Sequence, residues 1–340
     1  KIIIFSHKNV DMRIIISIVC FLLSISSNAQ NTWELKAENI DRNNYYGVTI
    51  ANGMVGIVSS PEPLKVKDVI LNGVYDYYQR GRVSNILKVF NHVNMNLGIN
   101  GQRIHKNGIS NYAQTLDMQK ASLVTSFQVP GQARIKSEMM SLRHLPYSSL
   151  NIVTVEALSD ITITPMSVIE APNHLNDVRN YYAEIDRPHV KIPLLTSVGL
   201  SPSGNVKIAA SNSFIFEEKH GNQPDIIHED WDYNMHLAKF NKSLKAGETY
   251  SFAIVSSTVS SASFQDPHNE AERLTIYAML EGTSRLKARH LAAWNELWES
   301  NITIEGSPDL TRDIRFGLYH LYSFARAGTT NSLSPMGLSG

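Results

Sequence analysis

From about Asn31 to Ser260, short apolar runs alternate with turn-forming dipeptides. The runs include Tyr46 to Ile50, Val66 to Leu71, Val93 to Ile99, Leu123 to Val129, Leu150 to Ala157, Ile161 to Ile163, Val206 to Ala210, Ser213 to Phe216 and Tyr250 to Val255. Val, Ile, Thr, Tyr and Phe dominate them, as expected of half-buried strands. Asn52-Gly53, Asn72-Gly73, Asn100-Gly101, Asn107-Gly108, Pro130-Gly131, Ser203-Gly204 and Ala246-Gly247 supply the turns between them. The pattern predicts a mainly β fold, a large antiparallel sandwich of ~230 residues, bigger than an immunoglobulin-type unit.

The pattern then changes to helical spacing. Asp266 is a plausible N-cap before proline at the first helical position. Leu274, Ala278, Leu286, Ala293 and Leu297 follow at helical intervals, and Gly282 is expected to split the segment into two helices. His290, Trp294 and Trp298 lie four apart on one face, which suits packing on the sandwich better than ligand binding. After a short extended link at Ile302 to Ile304, Ser307-Pro308-Asp309 opens a third helix, Pro308 to Ala325. Its expected apolar stripe is Ile314, Leu318, Leu321 and Tyr322. The expected division is 1–29 upstream residues and leader, 30–262 sandwich, 263–306 helical linker, and 307–340 the start of an α domain. An apolar stripe needs other helices to cover it, so the chain reads as the front of a larger protein.

Met12-Arg13 precedes an apolar stretch, Ile14 to Leu23, too short to span a bilayer but suited to a signal-peptide core. Ser27-Asn28-Ala29 puts small residues at the positions signal peptidase reads, so cleavage is expected after Ala29, with residues 1–11 lying upstream of the true start. The expected localisation is secreted or periplasmic, with no membrane attachment after cleavage. Cys20 is the only cysteine, so the mature chain would hold neither disulfides nor thiolate sites.

The chain carries 31 basic and 31 acidic residues in 340. That balance, without a basic run, argues against nucleic acid and anionic membrane surfaces as partners. There is no G-x-S-x-G, P-loop, G-x-G-x-x-G or H-E-x-x-H motif. His228-Glu229-Asp230 and Asp232 form the densest cluster of imidazole and acid, but the spacing fits no familiar metal template and a solvated loop is preferred. Trp231-Asp232 could stack on a sugar or simply be a strand-edge aromatic; Tyr75, Tyr77 and Tyr78 pose the same choice. Asn241-Lys242-Ser243 and Asn301-Ile302-Thr303 match the glycosylation sequon. No metal or other cofactor is expected.

Several segments together resemble glycoside hydrolase family 65. Asn52-Gly53-Met54-Val55-Gly56 is similar to that family's early Asn-Gly-x-x-Gly turn, and Leu71-Asn72-Gly73-Val74-Tyr75-Asp76 to the segment after it. Leu116-Asp117-Met118 resembles its Leu-Asp-Met strand, and His290, Trp294, Leu297 and Trp298 its linker helix. Ile314 to Leu321 resembles its first barrel helix, and Gly337-Leu338-Ser339-Gly340 the loop that follows. The resemblance implies a galactose-mutarotase-like β-supersandwich, a helical linker and the first helix of an (α/α)6 barrel. It also implies a small α-linked disaccharide or oligosaccharide substrate, cleaved with inversion by hydrolysis or phosphorolysis; a homodimer is a separate expectation, tied to a sandwich that buttresses the barrel and mediates dimerisation. A glutamic acid would protonate the leaving oxygen, while phosphate or activated water attacks the opposite face. The family's sugar-gripping aromatic-Trp-Asp segment and its catalytic glutamate fall beyond Gly340, so no catalytic residue is expected within this chain. Arg315, Tyr319 and His320 match the barrel helix and are the only substrate-binding candidates the resemblance offers. The leader favours hydrolysis, since a sugar phosphate is useful only inside a cell. A phosphorylase, or a non-catalytic carbohydrate-binding or buttressing sandwich, is the alternative.

Overall fold

The computed structural model describes residues 31–38, 40, 45, 47–77, 84–331 and 337–339. The leader, Cys20, Tyr46, Tyr78, Met336 and Gly340 lie outside the described residues. The β region forms three antiparallel sheets. The largest has nine strands in the spatial order Glu34–Glu38, Ser110–Asp117, Ser122–Val129, Ala133–Ser141, Ser148–Ala157, Thr249–Ser260, Lys207–Phe216, Val190–Leu200 and Asn176–Arg187. A six-stranded sheet is built on Ile161–Glu170 and Asn91–Ile99, with the hairpin Ile227–Asp232/Met235–Lys239 along one edge. A four-stranded sheet runs Thr49–Ala51, Val55–Ser59, Val66–Tyr77 and Ser84–Lys88.

The main core lies between these sheets. Ile50 and Ile57 of the small sheet, Met95, Leu97 and Ile163 of the middle one, and Val153, Phe214 and Phe252 of the large one belong to a single buried cluster. Aromatic edges lock it: Phe240 meets Phe214, Phe216 and Phe252 edge-on at 5.0–5.2 Å between ring centroids. That spacing is the favoured geometry of paired aromatic quadrupoles.

Most of the turn dipeptides are turns. Asn100-Gly101 closes a tight hairpin with φ of 52° and 79°, the left-handed pair such a loop requires. One is a short 3-10 turn and one is not a turn at all. Asn107-Gly108 belongs to one 3-10 turn, Lys106–Gly108. Asn72-Gly73 lies inside the strand Val66–Tyr77, where the register slips between Ile70 and Tyr75. Gly73, at φ 88°, serves this bulge rather than a turn.

Three helices follow: α1 Pro267–Glu281, α2 Thr283–Leu297 and α3 Pro308–Phe324. The Asp266 carboxylate accepts from Asn269 N–H, and Gly282 at φ 76° separates α1 from α2. Small residues of α1, Ala271 and Ala278, let it lie close on the large sheet against Val198, Ala209, Val259 and Val255. Among the described residues no helix is long and apolar enough to cross a membrane.

Candidate functional site at the sandwich–helix seam

The residues that carried the family resemblance converge on one place, the seam where α2, α3 and the following segment meet the sandwich. Asn52 is fully buried there. Its Oδ1 accepts from Met54 N–H (3.0 Å) and Val55 N–H (2.9 Å), and its Nδ2 donates to Leu142 O (2.9 Å). The side chain thus sets the turn and ties it to the neighbouring strand end. Asn72 Nδ2 then donates to Gly53 O (3.2 Å), joining the two asparagine-glycine segments.

Three glycines make this surface a bare backbone shelf. A Cβ on Gly53 would lie 2.3 Å from Arg326 Cβ, one on Gly56 2.1 Å from Leu338 O, and one on Gly73 2.7 Å from Asn331 Nδ2. Each distance is below any real carbon contact, so the segment after α3 can lie on the shelf only because side chains are missing. Leu338 is buried beside Ala51 and Ile70.

Two arginines clasp the seam from opposite sides. Arg143, from the sandwich, donates to Tyr322 O (2.8 Å) and Ala325 O (3.0 Å) at the carboxyl end of α3. A cation suits that end, where unpaired carbonyls gather partial negative charge. Arg326 reaches back to Arg143 O (2.7 Å) and Asn52 O (3.3 Å). Burial, and then the charge of Arg326, pull the Arg143 guanidinium down to about 10, still a cation at neutral pH.

The α2 stripe packs, as its spacing implied. His290 is buried: its Nδ1 accepts from Arg143 N–H (3.1 Å) and its Nε2–H donates to Lys120 O (2.9 Å). Both nitrogens of a neutral imidazole are therefore used, and burial lowers its pKa to about 4. Trp298 Nε1–H donates to Met118 O (3.1 Å), and Trp294 is fully buried with its ring stacked 5.5 Å from Tyr319.

The three substrate candidates sit on α3. Arg315 spreads over Trp33 at 3.8 Å and donates to Asn301 Oδ1 (3.2 Å), Thr303 Oγ1 (3.2 Å) and the Thr32 hydroxyl. Asn301 and Thr303 are the two polar positions of the second sequon, so this sequon is an arginine clip in the structure. Tyr319 is fully buried and donates to Thr49 O (3.2 Å); burial pushes its hydroxyl pKa up. His320 is half-buried among Phe316 (4.4 Å), Tyr319 (5.5 Å) and Phe324 (5.4 Å), and burial lowers its pKa. The buried face of α3 is Thr311, Arg315, Tyr319 and Ser323; of the expected apolar stripe, Leu318 and Tyr322 pack against the main core beside it, whereas Leu321 faces outward. Leu321 stands 64% exposed and Leu310 48% exposed.

Five described carboxylates, Asp76, Asp160, Glu218, Glu229 and Asp266, have a displaced pKa; each is displaced downward and held in the ionised form. Burial works against ionisation of Asp76, but hydrogen bonds from Ser201, Ser203 and the Tyr77 backbone outweigh it and hold the carboxyl at about 2. A glycosidase general acid needs the opposite displacement. Elsewhere, Tyr77 is exposed and Tyr75 half-buried on one strand, and Trp231 stands 45% exposed on the hairpin that carries His228.

A profile for the N-terminal domain of glycosyl hydrolase family 65 matches residues 45–297. The chain belongs to glycoside hydrolase family 65. It is 50% identical to a kojibiose hydrolase of Flavobacterium johnsoniae over 94% of its own length and 47% of that protein. It is 49% identical to a kojibiose hydrolase of Mucilaginibacter mallensis over 98% of this chain and 49% of that one. A nigerose phosphorylase of Lachnoclostridium phytofermentans is 31% identical, over only 28% of this chain. The chain thus spans about half the length of the hydrolases it matches. In fold it superposes on a structure described as a kojibiose phosphorylase from the human microbiome, with a TM-score of 0.77 at 13% identity, over 91% of this chain and 44% of that one. The sandwich side of the seam and α2 lie within the matched residues, and α3 and the segment after it lie beyond them. The glycine shelf is the physical content of the asparagine-glycine motifs that carried the resemblance, whereas Arg143 and Arg326 of the clasp lie outside those motifs.

Proposed function

We propose that this chain is the N-terminal, non-catalytic portion of an exported family 65 enzyme that hydrolyses kojibiose-type α-linked disaccharides. The observation that carries the reading is near-half identity, over almost the whole chain, to two proteins named kojibiose hydrolases. That the chain spans about half the length of those two proteins supports placing the catalytic pair outside this portion. The proposed leader, cleaved after Ala29, would deliver the protein to the periplasm or medium, where water rather than phosphate is the useful acceptor. In this reading the sandwich, taken to end at 262 and to be followed by a linker to 306, buttresses the catalytic half. Arg315 and Tyr319 then act as positioning residues that hold α3, rather than as groups touching sugar.

The test uses the whole enzyme on kojibiose, trehalose and maltose, with and without inorganic phosphate, reading free glucose against glucose phosphate. Hydrolysis of kojibiose independent of phosphate is expected. Cleavage only when phosphate is supplied would make the enzyme a phosphorylase and sink the reading. Mass spectrometry of the exported protein tests the leader: a first residue other than Gln30 refutes the cleavage site.

A further inference from the structure

The hairpin Ile227–Asp232/Met235–Lys239 carries a constellation that the glycosidase reading does not use. Among the described residues, His228, Asp230 and His236 form the one group of three such side chains whose ligand atoms all lie within 4.8 Å of one another. We propose that they bind a single late transition-metal dication, zinc being the ion that best suits two imidazoles and a carboxylate.

The geometry supports this first. His228 Nε2 lies 3.4 Å from His236 Nδ1 and 3.5 Å from Asp230 Oδ1. Ligands bound at about 2.0–2.1 Å around a tetrahedral zinc are about 3.4 Å apart. The third edge, His236 Nδ1 to Asp230 Oδ1, is 4.0 Å. That side needs to close by about half an ångström to reach the same tetrahedral spacing. The Asp230 side chain is 67% exposed and free to swing that far.

The hydrogen bonds behind the site point the same way. Asn180 Nδ2 donates to Asp232 O (3.4 Å) and Tyr233 O (3.2 Å), so its Oδ1 must face the other way, where it accepts from Ser197 Oγ (2.8 Å). A serine hydroxyl has one proton, and it is spent on that bond. Ser197 Oγ therefore accepts from His236 Nε2–H at 2.9 Å. The buried His236 is left with a bare Nδ1 lone pair aimed at His228. This is the arrangement in which ligating histidines are oriented by a partner on the far nitrogen. Tyr182 lies parallel to the His228 ring, 4.6 Å away and 3° from coplanar, and fixes that ring's plane. Glu229 is not available as a fourth ligand, because Lys239 and Trp231 Nε1–H (3.1 Å) hold it. The fourth position would be water.

Ser197 and Asn180 belong to the large sheet, and the hairpin to the middle one. A bound ion would therefore pin the hairpin edge where the two sheets meet. The site does not depend on which glycoside the enzyme cleaves.

The test is a titration of zinc and of cobalt into the whole protein, carrying no oligohistidine tag and first freed of metal by chelation. Wild type is compared with His228→Phe, which keeps the stack on Tyr182, and with Asp230→Asn and Ser197→Ala. Thermal unfolding of the metal-free forms checks that each is folded. The expected result is one equivalent more zinc in wild type than in His228→Phe, together with the strong visible absorption of four-coordinate cobalt in wild type only. Ser197→Ala should bind about 10–100-fold more weakly. Equal metal content in wild type and His228→Phe, or no cobalt spectrum in wild type, would overturn the site and leave an ordinary hydrogen-bonded histidine pair.

Discussion

The glycine shelf makes the most discriminating prediction. Gly53 combines a backbone at φ 89° with a Cβ position 2.3 Å from Arg326. Replacing it by alanine costs about 1–2 kcal/mol for the left-handed conformation alone. It must also push Arg326 away, loosening the bonds to Arg143 O and Asn52 O. Charge-assisted bonds are worth about 1.5–3 kcal/mol each, and the seam is partly wet, so about 2 kcal/mol is expected from this source. Gly131 is the control: its φ is 70°, yet a Cβ there meets nothing within 4 Å. Gly131→Ala should therefore cost the conformational part only, and Gly53→Ala about 2 kcal/mol more. Gly56→Ala isolates the steric part, because its Cβ meets Leu338 O at 2.1 Å. Lifting Leu338 off Ala51 and Ile70 should expose a leucine worth about 1.5–3 kcal/mol of burial. Urea unfolding followed by tryptophan fluorescence measures all three, since Trp294 and Trp298 lie beneath α3. Limited proteolysis should cut the Gly53→Ala and Gly56→Ala variants faster between residues 325 and 331. If Gly53→Ala is no worse than Gly131→Ala, and that segment is no more easily cleaved, the shelf does not hold the segment and the explanation of the motif is wrong.

Three further predictions follow from the same seam. Trp294→Ala should destabilise by about 3–5 kcal/mol, because the ring is fully buried between His290 and Tyr319; a loss below 1 kcal/mol in urea would mean that the site collapses freely. Tyr319→Phe should cost about 1 kcal/mol through its bond to Thr49 O while leaving KM of the whole enzyme unchanged; a tenfold rise in KM would show that Tyr319 touches substrate after all. His290 should make the fold acid-sensitive. Its folded pKa, about 4, lies below the ordinary 6.5, so its contribution is complete above pH 6.5 and is lost as pH falls toward 4. The difference amounts to about 3 kcal/mol. His290→Gln should flatten the fall in stability between pH 6.5 and 4, and an unchanged slope would refute the assignment.

Most of the sandwich was legible because its central strands carry continuous or alternating apolar residues between glycine turns. The strands that escaped are polar for a structural reason. Asn176–Arg187 is an edge strand with alternate residues in water, so its Asn, Asp, Arg and Glu hide the period. Val190–Leu200 is almost wholly buried but contains Pro193, which normally argues against a strand. It is tolerated because pairing on one side begins only at Leu195. Ala133–Ser141 alternates buried Ala, Ile and Ser with Arg, Lys and Glu, a period the charges masked. At the seam, the order of the motifs pointed to the family, but their geometry could not be read. The glycines of Asn52-Gly53 and Asn72-Gly73 looked alike, yet one makes a turn and the other a bulge. What distinguishes them is Asn331 and Arg326, more than 250 residues away. The His228 cluster was visible as composition, but His236 lay outside it until the hairpin brought it back.

The orientation of α3 carries the remaining argument. An amphipathic helix is expected to bury its leucines, yet this one turns Thr311, Arg315, Tyr319 and Ser323 toward the sandwich and leaves Leu310 and Leu321 exposed. The inward face works because each polar group has a distant partner: Thr311 with Ile304, Arg315 with Thr32, Asn301 and Thr303, and Tyr319 with Thr49. The neutral bonds are worth only about 1 kcal/mol net each, and those from the Arg315 guanidinium about 1.5–3 kcal/mol. The helix is therefore held to the sandwich by these bonds together with Tyr319, Phe316, Leu318 and Tyr322, which pack on the main core, while Leu310 and Leu321 are left on its outer side. In the proposed enzyme that outward face would pack on the catalytic half, so one helix would bury apolar residues on both of its sides. Leu321→Ser should then leave the sandwich's own unfolding unchanged in this chain but destabilise the whole enzyme by about 2 kcal/mol or more. Equal effects in the two would show that the outward face has no partner there.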